Sequence, residues 1–164
     1  MKRFLTLFLM VCAVSAQAQR SELRVGAVAT FNQTGFGYPS MGYGGEVVAT
    51  QSFGGHFRAG VGIQGYNMDE LGFVAPFFGT VGGQVGRFFI HADPGYMPIS
   101  LTTVKNGQAV QQRGGFYIGG GVKADLPFNL YLNVQYNDFP LKLVPGDSKR
   151  TSAVGVSLGY RFGK

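Results

Sequence analysis

From residue 21 onward, apolar residues alternate with small or polar ones, and clusters of Gly, Pro, Asn and Asp interrupt the alternation. Successive side chains of a strand point to opposite faces, so a period of two predicts strands. The pattern places eight of them, at 22–31, 42–51, 57–66, 72–81, 87–96, 114–124, 130–138 and 152–162. Each is close to the 9–11 residues with which a tilted strand crosses a bilayer. No segment shows the 3.6-residue period of an amphipathic helix.

The connections alternate in length. Residues 52–56, 82–86 and 125–129 read as tight turns, whereas 32–41, 97–113 and 139–151 read as longer loops. The link at 67–71 is short and departs from the alternation. Short turns at one end and long loops at the other are the layout of up-and-down barrels that span membranes. Pro76 and Pro94 fall inside the fourth and fifth strands. A missing N–H there removes a rung from the ladder, so the sequence implies either bulges or shifted strand boundaries.

The two faces of the strands differ in chemistry. Six strands have a clear register, and one face of these carries Leu23, Val25, Val47, Val61, Ile63, Ile118, Leu132, Val134, Val156 and Leu158, with aromatic residues such as Tyr43, Phe57, Phe116, Tyr136, Tyr160 and Phe162. None of its 28 positions is charged. The opposite face has 26 positions, of which 8 are glycine and 5 are charged: Arg24, Glu46, Arg58, Lys123 and Arg161. A surface bathed in water would be richer in Lys, Glu and Thr. A narrow lumen, which admits small side chains and a few paired polar ones, fits that second face better. The expectation is therefore an all-β, eight-stranded, antiparallel up-and-down transmembrane β-barrel, with lipid outside and a polar lumen inside. The wall must close on itself, because open sheet edges do not survive in hydrocarbon. The competing architecture is a soluble barrel with the apolar face inward, holding an apolar ligand.

Composition agrees with the membrane reading. The 164 residues include 27 Gly, 15 Phe and 8 Tyr but no Trp, and only 13% are charged, against about 25% in a typical soluble domain. At the N-terminus, Lys2 and Arg3 precede an apolar run over residues 4–14, followed by Ser15-Ala16-Gln17-Ala18. Those three features are the parts of a cleaved signal peptide. Residues 1–18 are expected to be removed and 19–164 to form the barrel. The apolar run is 11 residues long, well short of the roughly 20 that span a bilayer. Cys12 lies inside that run after Val11, a poor context for lipidation, and its loss would leave a mature chain without cysteine. Removing Lys2 and Arg3 leaves 12 basic against 8 acidic residues, a net charge of +4 spread along the chain. A nucleic-acid surface would need a clustered basic patch.

Candidate chemistry is sparse. Glu46 is expected in the lumen between strands that carry Arg24 and Arg58, forming ion pairs that fix register and block the bore. Arg24, Arg58, Arg87, Lys123 and Arg161 all fall toward the short-turn end, where together they would make a basic ring. His91 and Asp93 lie two apart on one strand and so share a face with Phe89. Such a pair can orient a general base, but a luminal hydrogen bond accounts for it as well. Gly60-Val61-Gly62-Ile63-Gln64-Gly65 matches GxGxxG, yet it sits within an alternating strand with no helix behind it, which excludes a dinucleotide site. With two histidines and no metal-ligand spacing, no metal or cofactor is expected. The loop over residues 101–108 opens like a strand and can extend the wall as a protruding sheet. Lys142, Lys149 and Arg150 form a basic loop suited to phosphate groups.

Residues 155–162, GVSLGYRF, alternate and end on an aromatic, with Gly163 and Lys164 after it. That segment resembles the C-terminal recognition strand of outer-membrane barrels. With the leader and the eight strands, the chain resembles the small OmpX/OmpA-type barrels, especially the porin-like barrel domains of Bacteroidetes. The resemblance implies a bacterial outer membrane location and a structural, surface-interaction or narrow-pore role. It also implies contact with outer-membrane lipid and lipopolysaccharide, insertion by the barrel-assembly machinery through the C-terminal strand, and a monomeric state. Lipid A deacylase barrels pair a His with a nearby Ser on the outer surface. His91-Ala92-Asp93 offers no Ser at that step, so no enzymatic activity is expected.

Overall fold

In the computed structural model, residues 20–33, 39–68, 72–97, 102–105, 108–111, 115–143 and 148–163 are described. They form β1 (Arg20–Gln33), β2 (Pro39–Phe53), β3 (Phe57–Met68), β4 (Gly72–Val74), β5 (Phe77–Val85), β6 (Phe88–Met97), β7 (Thr102–Lys105), β8 (Gln108–Gln111), β9 (Gly115–Asp125), β10 (Leu130–Leu143) and β11 (Ser148–Phe162). The leader segment expected at 1–18 lies outside the described residues.

Eight staves make the wall: β1, β2, β3, the collinear pair β4 and β5, β6, β9, β10 and β11, each antiparallel to the next, with β11 closing on β1. The rungs can be followed once round, from Arg20 through Ser52, Arg58, Gly82, His91, Gly121, Gln135 and Gly155. They return to β1 at Thr30, ten positions above the start. Ten residues of climb over eight staves correspond to a strand tilt of roughly 41° and a backbone radius of about 8 Å. Side chains fill a bore of that width.

The tight turns are shorter than the alternation suggested, because the strands run further. Gly54-Gly55-His56 and Gly86-Arg87 are the first two, and residues 126–129 the third. In the third, Phe128 and Asn129 adopt left-handed φ values of 61° and 59°. At the opposite end β7 and β8 form a hairpin whose second strand pairs with β10 at Lys142–Gln111 and Leu143–Val110. The strand-like start of that loop does extend the sheet.

Alternation of faces holds around the wall. Luminal positions such as Arg24, Glu46, Gln64, Tyr117, Tyr131 and Asn137 are buried, whereas Val25, Val47, Val61, Ile118, Leu132 and Leu158 are exposed. A continuous apolar surface of this size has no place in water, which removes the soluble, apolar-lumen alternative. Exposed aromatics form two belts: Phe31, Tyr43, Phe73, Tyr96, Phe116 and Tyr136 toward the long-loop end, and Phe57, Phe88, Tyr160 and Phe162 at the short-turn end. Between Tyr43 and Phe53 the tilt gives an axial height of about 25 Å, the height of a membrane barrel's apolar band.

Neither proline makes a bulge, and at Pro76 the strand boundary shifts: β4 ends at Val74 and β5 starts at Phe77, dividing the strand expected at 72–81. Pairs Tyr66–Val74 and Ile63–Phe77 keep one register across the break between β4 and β5, so no residue is inserted at Pro76. Gln64 N–H still donates to the Pro76 carbonyl at 3.1 Å. Around Pro94, the pairs Phe78–Gly95 and Val81–Ala92 also keep step, but the rungs between them are missing. Both sites are gaps in the ladder without a bulge. The fourth stave, whose faces the sequence left open, turns Val74, Phe78 and Thr80 inward and Phe73, Phe77 and Val81 outward.

Candidate functional site: the barrel lumen

Three tiers fill the bore. The lowest, at the short-turn mouth, is ionic. Arg24 donates to Glu22 (Nη2–Oε2 3.0 Å) and to Asp125 (3.2 Å), and Arg58 donates to Glu22 at 2.9 Å. Arg161 donates to Asp125 at 2.8 Å. Arg24 also lies over the Tyr131 ring and Arg58 over Phe89, at 5.5 and 5.6 Å from the centroids, so both cations meet a π-face as well as a carboxylate. The mouth around this tier is a vestibule of about 900 Å³ lined by Glu22, Arg58, His56, Gln84, Asp125 and Arg161 among others.

The expected basic ring is thus a mixed network. Arg24, Arg58 and Arg161 are brought together, but Glu22 and Asp125 stand between them. Arg87 sits in an exposed turn, and Lys123 is buried higher up, within electrostatic reach of Glu46 and Asp93.

Glu46 anchors the middle tier. Its carboxylate does not pair with Arg24 or Arg58. It accepts from Gln64 Nε2 at 2.8 Å, the Tyr131 hydroxyl at 2.9 Å and the Ser157 hydroxyl at 2.9 Å. Neutral donors on β3, β10 and β11 therefore satisfy a carboxylate carried by β2. Three donors thus satisfy its two oxygens, and Lys123 lies within electrostatic reach. Gly26 and Gly159, paired across β1 and β11, give Tyr131 the room to do this. A Cβ at Gly26 would lie 2.3 Å from the Tyr131 hydroxyl, and one at Gly159 would lie 2.6 Å from it.

Also in the middle tier, His91 stacks on Phe89 with the rings 12° apart. Its Nδ1 lies 2.9 Å from both Asp93 oxygens, with hydrogen-bond geometry to Oδ1 only. Its Nε2 lies 3.1 Å from Asn133 Oδ1, and Asn133 donates on to Gln135 at 2.7 Å. The pair is enclosed in the lumen, and among the described residues no hydroxyl bonds to the ring.

The upper tier is apolar. Val48, Val74, Phe78, Met97, Tyr117, Phe139 and Ala153 form one buried cluster, with Tyr117 6.0 Å from Phe78 and 5.6 Å from Phe139. Tyr117 turns its hydroxyl to Asn137 at 2.6 Å. Glycine again makes the space: a Cβ at Gly62 would lie 2.6 Å from the Phe78 ring.

Sequence reasoning singled out the charged members and missed their partners. Glu22 and Asp125 stand at strand ends, where the alternation is hardest to bound. Met97 and Phe139 fall within the long connections expected from the sequence, although Tyr131, Asn133, Gln135, Asn137 and Phe139 continue one unbroken luminal alternation. That continuation was the available signal. Among the described residues, no group of three or more His, Cys, Asp or Glu could hold a metal ion.

Comparison with known proteins agrees with this architecture. The family model described as the outer membrane protein beta-barrel domain matches residues 4–162. Neisserial surface protein A superposes with a TM-score of 0.58 at 12% identity, covering 86% of this chain and 95% of that one. The N-terminal barrel domain of Pseudomonas aeruginosa OprF gives 0.54 at 14% identity, covering 89% and 100%. The Yersinia pestis attachment invasion locus protein Ail, in complex with the heparin analogue sucrose octasulfate, gives 0.53 at 13% identity, covering 87% and 98%. At these identities the likeness is one of fold. A search of curated proteins finds no match.

Proposed function

The chain belongs to the outer membrane protein beta-barrel domain family, and from that premise we propose that it is a plugged, non-enzymatic barrel of a bacterial outer membrane that displays its long-loop end at the cell surface. One observation carries this reading. The lumen is occupied from mouth to mouth by the Glu22–Asp125 ionic tier, the Glu46 and His91 polar tier and the Phe78–Tyr117–Phe139 apolar tier. A conducting bore would need an open polar path, and a lipid-modifying enzyme would need its base accessible beside a nucleophile. The His91–Asp93 pair has neither access nor nucleophile.

What remains for interaction is the surface beyond the membrane. Arg150 is exposed there, bonded to Asp138 at 2.7 Å and to the Phe116 carbonyl at 3.4 Å. The β10–β11 register brings Lys142 and Lys149 to the same end. Cationic residues at that level suit the phosphates of lipopolysaccharide, and the sulfated sugar held by Ail is an anion of related chemistry. The barrel works as a monomer, inserted through its C-terminal strand.

Planar bilayers test the proposal. The refolded barrel, shown to be folded by heat-modifiable migration on gels, is expected to give no steady single-channel conductance. A stable open state with defined conductance would overturn the plugged lumen and favour the narrow pore.

A further inference from the structure

The wall has a defect that its function has not yet used. Between β5 and β6 the rungs that would join Gly79 to Pro94 and Thr80 to Asp93 are absent, although the rungs on either side are in place and no residue is inserted. Proline has no N–H to give, which accounts for a lost donor. The pairing of Pro94 with Ile118 on β9 is intact, so residue 94 turns toward Gly79, whose carbonyl loses its donor. The backbone groups of Thr80 turn the other way, to Gly60 on β3, where the ladder is in place. A carbonyl left open in a membrane wall needs another partner.

The side chains at the gap have the same need. Thr80 and Asp93 occupy directly opposed luminal positions, where cross-strand Cβ atoms usually stand about 5 Å apart. Both are buried, at 0% and 1% exposure. One offers a hydroxyl donor and the other a carboxylate acceptor, yet Thr80 Oγ1 and Asp93 Oδ2 have no hydrogen-bond partner, from each other or from any neighbour. Asp93 spends its other oxygen on His91. On the lipid side of the gap stand Gly79 and the exposed Pro94 ring. Tyr96 of the upper belt is three residues above Asp93, about 7 Å along the axis at this tilt. Interfacial water is therefore close.

We propose that the β5–β6 gap is a hydration site in the barrel wall, occupied by ordered water that bridges Thr80 Oγ1 to Asp93 Oδ2 and the open carbonyl of Gly79. A water there makes the two to four bonds that a buried water needs. It replaces the missing donor and completes the shell of the His91–Asp93 pair. The wall is then hydrogen-bonded throughout, but one of its rungs runs through a solvent molecule that can exchange.

Water–protein NOE and ROE spectra of the full barrel in nanodiscs test this. Cross-peaks to a long-lived water are expected at the Thr80 Hβ and methyl protons and at the Gly79 Hα protons, and not at lipid-facing Val81. Pro94→Ala returns an N–H that can bond the Gly79 carbonyl, and is expected to weaken the cross-peaks at Gly79. Thr80→Val removes one anchor of the water while keeping the shape, and is expected to abolish the cross-peaks at Gly79. No water cross-peak at Thr80 in the wild-type barrel would overturn the proposal. So would water cross-peaks that persist unchanged in Thr80→Val. Should Pro94→Ala fail to fold, the wild-type profile and Thr80→Val decide the question on their own.

Discussion

Glu46 shows how much a single luminal residue depends on residues far away in sequence. Its carboxylate takes donors from Gln64, Tyr131 and Ser157, and the Tyr131 donor reaches it only because positions 26 and 159 are glycine. A methyl group at Gly26 must push the phenol aside. Gly26→Ala is expected to cost about 2 kcal/mol by overpacking. Tyr131→Phe removes the hydroxyl that collides with the new methyl, so the double variant should be more stable than the sum of the single losses, by about 1 kcal/mol or more. Urea-driven unfolding of the four proteins in one lipid system measures the cycle, and strict additivity would separate Gly26 from Tyr131. At this scale the sequence was partly legible. A period of two placed Arg24, Glu46, Arg58, His91, Asp93, Lys123 and Arg161 in the lumen. It could not say which would meet, because the climb of the rungs offsets the register a little at each stave, and the offsets accumulate. Arg24 and Glu46 were paired by strand adjacency, whereas the fold spends Arg24 on Glu22 and Asp125.

Among the elements, the strands whose two faces differ most in polarity were the most legible. Where the lipid face is Val, Ile and Leu and the luminal face is Gly, Asn and Gln, one residue of slip would turn glycine and amide side chains toward lipid, so the register is strongly specified. β4 and β5 were obscure for the opposite reason. Their residues are apolar on both faces, since Val74 and Phe78 belong to the plug, and Pro76 divides the stave. The β7–β8 hairpin contrasts with the staves. It joins the rest of the sheet through two residue pairs at the end of β10 and contributes nothing to closure. Replacing residues 101–112 with a short Gly-Ser connection should therefore leave heat-modifiable migration intact and change unfolding free energy by about 1 kcal/mol or less. A barrel that no longer shifts on gels after that change would show that the hairpin helps to hold β9 and β10.

As a whole molecule, the barrel is defined by its boundary with lipid. The belts of Tyr and Phe bracket an uncharged band, and the cost of a charge should depend on depth within it. Val47 lies midway between Tyr43 and Phe53 on the outer face. Val47→Arg is expected to cost about 2–4 kcal/mol, and Phe57→Arg, at the short-turn belt, about 0–1 kcal/mol from the charge itself. Reversible unfolding in bilayers of one composition checks the gradient, and equal costs at both depths would contradict the membrane position assigned to the belts. The overall architecture was the most legible part of the protein, because face chemistry, turn length and strand length each pointed to it independently.

The ten-residue offset at closure has a mechanical consequence. A barrel of fixed strand number changes its bore only if its staves slide lengthwise, and each step must be two residues to keep lipid-facing side chains outside. Every rung along the sliding seam would break at once. The carboxylate of Glu46 works as a bolt across that motion, fastening β2 to β3, β10 and β11 through the lumen. The wall is thereby a tube of set gauge, and a change of bore would first require Glu46 to release all three donors.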